Sequence, residues 1–179
     1  MTIEETLQST RKQFFAYRNG IVADTLRKNG DPHSIIMGCQ LSDIVNISHA
    51  IKPSTELAKA FWADTKHREC RIIATMLYPA EEMEESAALT WCSSVECHEI
   101  ADVLCHRLLR HLPYAQQLIK KLLETNKPMA VYIAFRLLLN LQILGKVEPS
   151  ENLKALVEKY YEGASPQLTS VLNNISEDL

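Results

Sequence analysis

The sequence predicts an all-α protein built from antiparallel helical hairpins. Apolar side chains recur at helical spacing along nearly the whole chain. Only 5 glycines and 7 prolines occur, and nearly all of them fall between these periodic segments. No alternating run bounded by hairpin turns appears, so no β-sheet is expected. These observations predict about eleven helices with short connections. Short connections make neighbouring helices antiparallel.

Five helices are predicted before residue 80. The first two end at Asn-Gly pairs, which are typical helix ends. Ser54 has the position of an N-cap for the fourth helix, and Pro79 ends the fifth. Gly38 closes an apolar stretch, residues 34–38, between the second and third helices. The five predicted helices cover residues 2–18, 21–29, 41–51, 55–63 and 66–78.

Six further helices are predicted after this point. Ser93 and Glu96 have the spacing of a capping box, and no glycine or proline follows until Pro113. The spacing therefore predicts one helix of about seventeen residues there. Asn126 is expected to cap a helix that carries Pro128 in its first turn. The six predicted helices cover residues 81–91, 93–110, 113–125, 127–144, 150–161 and the segment from Ser165 onward.

The spacing of the hairpins predicts an irregular α-solenoid. Hairpins at residues 54–78, 80–111 and 113–144 share a period within the range of helical repeats, although their sequences hardly match. A closed helical bundle is the alternative architecture. At 179 residues, the chain is expected to be a single helical-repeat domain.

Charge and cysteine content narrow the function classes. The net charge is −3, from 19 Lys+Arg and 22 Asp+Glu, which does not favour a dedicated nucleic-acid binder but is compatible with a local basic face. No apolar run is long enough to span a membrane, and the acidic start of the chain does not resemble a signal peptide. The five scattered cysteines indicate reduced thiols. We therefore expect a cytoplasmic protein with no membrane partner.

Three helices carry polar side chains at i, i+4 and i+8 beside an apolar arc. In a solenoid such helices line one face, so the three rows are expected to share a surface. The alternative is an ordinary polar boundary on each amphipathic helix. The rows are His67, Arg71 and Thr75; His98, Asp102 and His106; and Tyr132, Arg136 and Asn140.

A metal site on the second row is not expected. His98, Asp102, Cys105 and His106 include good zinc ligands. However, eight residues of helix separate the Cα atoms of the two histidines by about 12 Å, which is too far for one ion. We predict neither a metal nor a cofactor.

Several short motifs, in order, resemble the AlkD-like DNA alkylation repair family. They are IIMGCQ at residues 35–40, LAKAFW at 57–62 and HRECRIIA at 67–74, followed by the segment 93–110. The resemblance covers roughly residues 30–140. It implies a HEAT-like α-solenoid that holds duplex DNA in a concave face. Active members of the family are DNA glycosylases that excise N3- or N7-alkylated purines.

The resemblance assigns candidate roles to individual residues. Asp102 matches the catalytic aspartate, whose carboxylate would stabilise positive charge on the deoxyribose and help to position a water molecule. His98 stands where the family has a tryptophan that packs on the lesion. Tyr132 stands where it has an arginine that grips the DNA backbone, and Arg136 lies one turn further on. The DNA-binding candidates are His98, Tyr132, Arg136, Arg71 and Trp91, with core or inter-repeat packing as the alternative for Trp91.

Two functions of different class remain open at this stage. The first is an AlkD-like protein that binds duplex DNA and uses Asp102 for base excision. The second is a non-catalytic helical-repeat module for a protein or another ligand, in which Asp102 only pairs with His98, His106 or Arg136. Basic side chains around Asp102, with Arg107 and Arg110 among the candidates, would favour the first.

Overall fold

The computed structural model describes residues 2–177 and confirms the all-α prediction. Within this range the chain forms eleven α-helices and two short 3₁₀ turns, and it divides into two compact units that meet in sequence at Met83 and Glu84. Ile35 and His67 form an isolated β-bridge. None of the described helices is both long and apolar enough to cross a membrane. The single-domain expectation stays a prediction.

The first unit is organised around its fifth helix. Nine of the ten residues of α5 are buried, and α5 packs on α3 and α4, while α1 packs on the same two helices. Ser54 caps α4 as predicted, because its side chain accepts a hydrogen bond from the Leu57 amide. The helices are α1 (Ile3–Ala16), α2 (Gly20–Lys28), α3 (Leu41–His49), α4 (Thr55–Ala63) and α5 (Arg68–Leu77), followed by a 3₁₀ turn at Ala80–Glu82.

The motif segments of the first unit meet through a buried carboxylate. Glu69 on α5 accepts hydrogen bonds from the amides of Met37, Gly38 and Cys39 at 3.2, 2.9 and 3.4 Å. Arg68 Nη1 lies 2.9 Å from the same side chain. The carboxylate of Glu69 therefore fixes the loop before α3 to α5. This contact explains why a loop with free amides and a buried glutamate occur together.

The second unit is organised around α9, which is buried almost all round. This helix packs on α6, α7, α8 and α11, as expected for a segment with so few polar residues. The last two helices begin where the sequence predicted, and the side chains of Ser150 and Ser165 cap them. The helices are α6 (Glu85–Ser93), α7 (His98–Arg107), α8 (Ala115–Glu124), α9 (Pro128–Ile143), α10 (Glu151–Tyr161) and α11 (Pro166–Ser176), with a 3₁₀ turn at Leu109–His111.

The predicted capping box at Ser93 is wrong. Ser93 is the last residue of α6, and its hydroxyl donates to the Thr90 carbonyl at 2.8 Å. The next helix begins at His98 after a short loop and has 10 residues, because a 3₁₀ turn follows Arg107. A serine hydroxyl can accept from a following amide as an N-cap, or it can donate to a carbonyl of the preceding turn, as Ser93 does.

Two smaller predictions also fail. The acidic segment forms a 3₁₀ turn at Ala80–Glu82, and the following helix starts only at Glu85. Asn126 does not cap α9, because it adopts a left-handed φ of 51° and Lys127 takes the N-cap position. Asparagine tolerates that conformation better than most residues. Pro128 does occupy the first turn of α9, as predicted.

Candidate functional site

The polar rows of α7 and α9 lie against each other in the second unit. The rings of His98 and Tyr132 meet edge to face, with centroids 4.4 Å apart. Asp102 lies one turn after His98 on α7, and it contacts both Tyr132 and Arg136, which lies one turn after Tyr132 on α9. His106 Nδ1 then lies 3.3 Å from Asn140 Oδ1. The two rows predicted at i, i+4 and i+8 therefore form one continuous polar strip, hereafter the α7/α9 strip.

Asp102 is the centre of this strip. Its Oδ1 accepts a hydrogen bond from the Tyr132 hydroxyl at 2.8 Å and lies 3.1 Å from Arg136 Nε. The Arg136 N–H is not directed closely enough at the oxygen to form a hydrogen bond, so the second contact is an ion pair only. Both contacts go to the same oxygen, and the side chain is 36% exposed. The carboxylate therefore keeps a solvent-accessible side for a ligand.

Tyr132 acts as a fixed hydrogen-bond donor beside the carboxylate. Burial, together with the hydrogen bond to Asp102, raises the pKa of Tyr132 well above its ordinary value of 10. Its hydroxyl therefore keeps its proton at neutral pH and holds Oδ1 in place. Arg136 supplies the compensating positive charge from the next turn of α9.

An open pocket of about 450 Å³ lies over the α7/α9 strip. The first turns of α11 form its opposite wall, where Ser165 caps the helix and Pro166 occupies the first position. A helix N-terminus carries partial positive charge and attracts anions. The pocket is lined by His98, Asp102, Tyr132, Arg136, Pro166, Gln167, Ser170 and Val171.

A second cleft of about 470 Å³ lies on the other side of the His98–Tyr132 pair, and these two rings belong to both linings. Its walls are mainly apolar, with Met129, Val131, Tyr160 and Leu168 among them. A charged pocket beside an apolar cleft suits a ligand with an anionic backbone and flat apolar rings.

The structure brings together four of the six predicted site residues: His98, Asp102, Tyr132 and Arg136. Arg71 belongs to the first unit and is only 4% exposed. Its guanidinium stacks 3.6 Å from the centre of the Trp62 ring and donates to the Trp62 carbonyl at 2.8 Å. Trp91 is 5% exposed within the second unit. Both have the burial of packing residues, so neither enters the proposed site below.

The contribution of α11 was not predicted from the sequence. Gln167 and Ser170 are polar residues one turn apart on an ordinary amphipathic helix, a pattern that carries no functional signal. Only the packing of α11 on α9 brings them over Asp102.

A group of potential metal ligands lies elsewhere, in the first unit. Donor atoms of Asp64, His67 and Cys70 lie within 4.8 Å of one another. Arg11 Nη2 already occupies this carboxylate at 2.6 Å. Burial raises the pKa of the Cys70 thiol far above its ordinary value, which opposes the thiolate that a metal requires. The group fits a partly buried ion-pair network better than a metal centre.

The fold and this site together define a helical-repeat protein with an open, carboxylate-centred surface. The family model for the DNA alkylation repair enzyme matches residues 10–156. The chain therefore belongs to this family.

One solved structure supports the fold assignment. It aligns with a TM-score of 0.79 and 19% sequence identity, over 97% of this chain and 74% of its own. That structure is described as belonging to "a new family of proteins related to the HEAT-like repeat DNA glycosylases with affinity for branched DNA structures". The likeness confirms the predicted HEAT-like repeat fold. No curated protein matches the chain significantly in sequence.

Proposed function

We propose that this protein binds DNA with the surface formed by α7, α9 and the start of α11. The observation that carries the proposal is the Asp102–Tyr132–Arg136 cluster, which opens into the pocket of about 450 Å³. Arg136 and the N-terminus of α11 face that pocket, and both favour a phosphate group. Family membership and the DNA affinity of the structural relative support the same class of ligand.

The pairing of Asp102 with Arg136 determines how a phosphate would bind. An unpaired carboxylate beside the DNA backbone would repel it, whereas the ion pair makes this part of the strip close to neutral. The guanidinium can keep its contact with Oδ1 through Nε while its terminal nitrogens donate to a phosphate oxygen. The apolar cleft beyond His98 and Tyr132 would then accept an unstacked base.

The binding test compares a linear duplex, a branched DNA and a single strand of matched length by fluorescence anisotropy. We expect wild-type protein to bind at low salt with a Kd of about 100 μM or lower. Arg136→Gln should weaken binding by about 3–10-fold, because one phosphate contact is lost. The control Lys154→Gln removes the same charge from an exposed position on α10 and should have little effect.

Absence of binding to all three DNAs at low salt would overturn the proposal. The chain would then be better described as a non-catalytic module for a protein or another ligand. Unchanged affinity of Arg136→Gln would remove the assigned site but leave DNA binding in place. Thermal unfolding of each variant must show that it is folded.

Base excision is a second candidate function, and the exposure of Asp102 favours it. A carboxylate that is accessible on one side can stabilise the positive charge that develops on a sugar as a cationic base leaves. The ion pair with Arg136 opposes this, since it offsets part of the carboxylate charge. A phosphate bound at the terminal nitrogens of Arg136 would offset part of the guanidinium charge and so leave more of the Asp102 charge uncompensated.

The excision test measures release of 7-methylguanine or 3-methyladenine from alkylated DNA. We expect Asp102→Asn to abolish any release that the wild type shows, while DNA affinity changes little. No release by the wild type, with DNA binding intact, would exclude excision of these bases and leave a binding protein.

The thiols support a reducing environment for this function. All five cysteines are free, and four of them are buried. We propose that the protein works in the cytoplasm, where thiols remain reduced.

A further inference from the structure

Five basic side chains collect where α7 ends: His106, Arg107, Arg110, His111 and Lys146, hereafter the basic cluster. Arg110 Nη1 lies 3.2 Å from His106 Nδ1, and Arg110 Nε donates to His111 Nε2 at 3.3 Å. Lys146 Nζ donates to the Arg110 carbonyl at 3.0 Å. Arg107 Nε is buried without a hydrogen-bond partner among the described residues.

Carboxylates do not compensate this charge in the structure. Among residues 2–177, Arg107, Arg110 and Lys146 have no acidic group within ion-pair distance, whereas Arg136 and Lys121 each have one. Like charges held together are unfavourable unless an anion offsets them. The cluster therefore has the electrostatics of an anion-binding surface.

The positive charge of the basic cluster also affects the pKa of its two histidines. Burial and the charge of Arg110 lower the pKa of His106 and of His111 below the ordinary 6.5. The charges of Arg107 and Arg136 also lower the pKa of His106, whereas its hydrogen bond to Asn140 raises it. The charge of Lys146 also lowers the pKa of His111.

Helix-end electrostatics account for only part of this arrangement. A cation near the last carbonyls of a helix is favourable, and the bond from Lys146 to the Arg110 carbonyl is of that kind. The guanidinium of Arg110, in contrast, faces two imidazoles. Since no carboxylate among the described residues pairs with this guanidinium, its charge is available to an external anion.

The backbone fixes the position of Lys146. Gly145 adopts a left-handed φ of 65° after α9, and the Lys146 amide then donates to the Leu141 carbonyl at 2.9 Å. The Lys146 carbonyl accepts from the Gln116 side chain, also at 2.9 Å. A pocket of about 560 Å³ lies beside this turn, with His111, Gln116, Gln117 and Lys146 among its lining residues. Fixed donors around an open pocket suit phosphate oxygens.

The cluster is continuous with the candidate site. His106 stands one turn beyond Asp102 on α7 and contacts Asn140, which stands one turn beyond Arg136 on α9. We propose that the basic cluster binds the phosphodiester backbone of DNA adjacent to the segment held at Asp102. The inference rests on the proposed DNA-binding function and extends it to a second, purely electrostatic contact.

The test uses the double variant Arg110→Gln/Lys146→Gln. Its control, Lys120→Gln/Lys154→Gln, removes the same charge from two exposed lysines elsewhere in the second unit. Binding to the linear and the branched DNA is measured across a salt series. We expect the double variant to weaken binding by about tenfold or more and to reduce the slope of log Kd against log salt by about 2. The control should change the slope by much less.

Charge-preserving variants separate DNA contact from a structural role. Arg110→Lys/Lys146→Arg should retain most of the salt slope and much of the affinity, because the slope depends on the number of phosphates that positive charges neutralise. If wild type binds DNA and Arg110→Gln/Lys146→Gln keeps its Kd and slope, the inference is overturned and the proposed function stands. If wild type binds no DNA, both fail together.

Discussion

Glu69 and Asp102 are both carboxylates in contact with an arginine, yet they occupy opposite environments. Glu69 in the first unit is 0% exposed and accepts from three backbone amides besides contacting Arg68. Asp102 in the second unit uses one oxygen for Tyr132 and Arg136 and is 36% exposed. The protein itself satisfies the hydrogen-bonding capacity of Glu69, whereas part of the capacity of Asp102 stays open to solvent.

This difference fits a structural role for Glu69 and the functional role proposed for Asp102. A buried carboxylate is tolerated only when hydrogen bonds replace its lost hydration, so Glu69 must hold the loop at residues 37–39 in place. An exposed carboxylate contributes little to folding, because water solvates it in either state. We therefore expect substitutions of Asp102 to leave the protein folded, which is what a functional test requires.

The largest expected effect is that of Glu69→Gln. The substitution removes the charge opposite Arg68 and leaves an amide group among three amide donors. We expect the free energy of unfolding to fall by about 3–5 kcal/mol, as for other broken buried ion pairs. Urea unfolding measures it, with the exposed Glu56→Gln as control. A loss below about 1 kcal/mol would contradict the structural role of Glu69.

Gly38→Ala should disturb the same loop through its backbone. Gly38 has a φ of 76°, and a Cβ atom there would lie 2.2 Å from the Asn19 carbonyl oxygen. The conformation alone costs about 1–3 kcal/mol for a residue with a side chain, and the clash adds to this. Thermal unfolding checks the prediction. The control is Gly30→Ala, where φ is 83° but no atom lies within 4 Å, and it should cost less.

Asp64 is an intermediate case, in which the contribution of a carboxylate to folding stability can be measured through its dependence on pH. Burial tends to raise its pKa, but contacts with His67 and Arg11 outweigh that effect and lower the pKa from 3.8 to about 2. A lowered pKa in the folded state contributes stability above the unfolded value, and this stability is lost as pH falls from 3.8 to about 2.

Asp64→Asn should therefore cost about 1–2 kcal/mol near neutral pH. The difference from wild type should close between about pH 4 and pH 2. Urea unfolding across that pH range measures it. A difference that stays constant with pH would show that the contacts of Asp64 do not depend on its charge.

The smallest effect on stability is expected for Asp102→Asn. Its ion pair is partly exposed, so the loss should be below about 1 kcal/mol. Tyr132→Phe, which removes the hydrogen bond to Asp102, should cost about 1 kcal/mol. Chemical unfolding of both variants checks these values. A loss of several kcal/mol at Asp102 would place it beside Glu69 as a structural carboxylate.

Much of the fold was predictable because its signals are local. The cap at Ser54 and the helix starts at Ser150 and Ser165 were predictable because a cap depends on residues within three positions of it. The same local evidence misled at Ser93, where a hydroxyl bonds back to Thr90 and ends the preceding helix instead. Spacing alone does not distinguish these two uses of a serine.

The candidate site was predictable only in part. The rows on α7 and α9 were visible as i, i+4 and i+8 patterns, and the structure brings four of the candidate residues together. The burial of Arg71 against Trp62 was not visible, because an arginine on a helix has the same sequence pattern whether it faces solvent or stacks on a ring.

The sequence by itself therefore determined the helices, most of their ends and the residues that share a helix face, since these depend on neighbours along the chain. Tertiary structure alone decided which rows meet, that α11 forms the opposite wall of the pocket at Asp102, and that Glu69 is enclosed while Asp102 is open. These features depend on contacts between residues about 30 positions or more apart. Such contacts are set by packing between helices, and periodicity along one helix does not encode its partner.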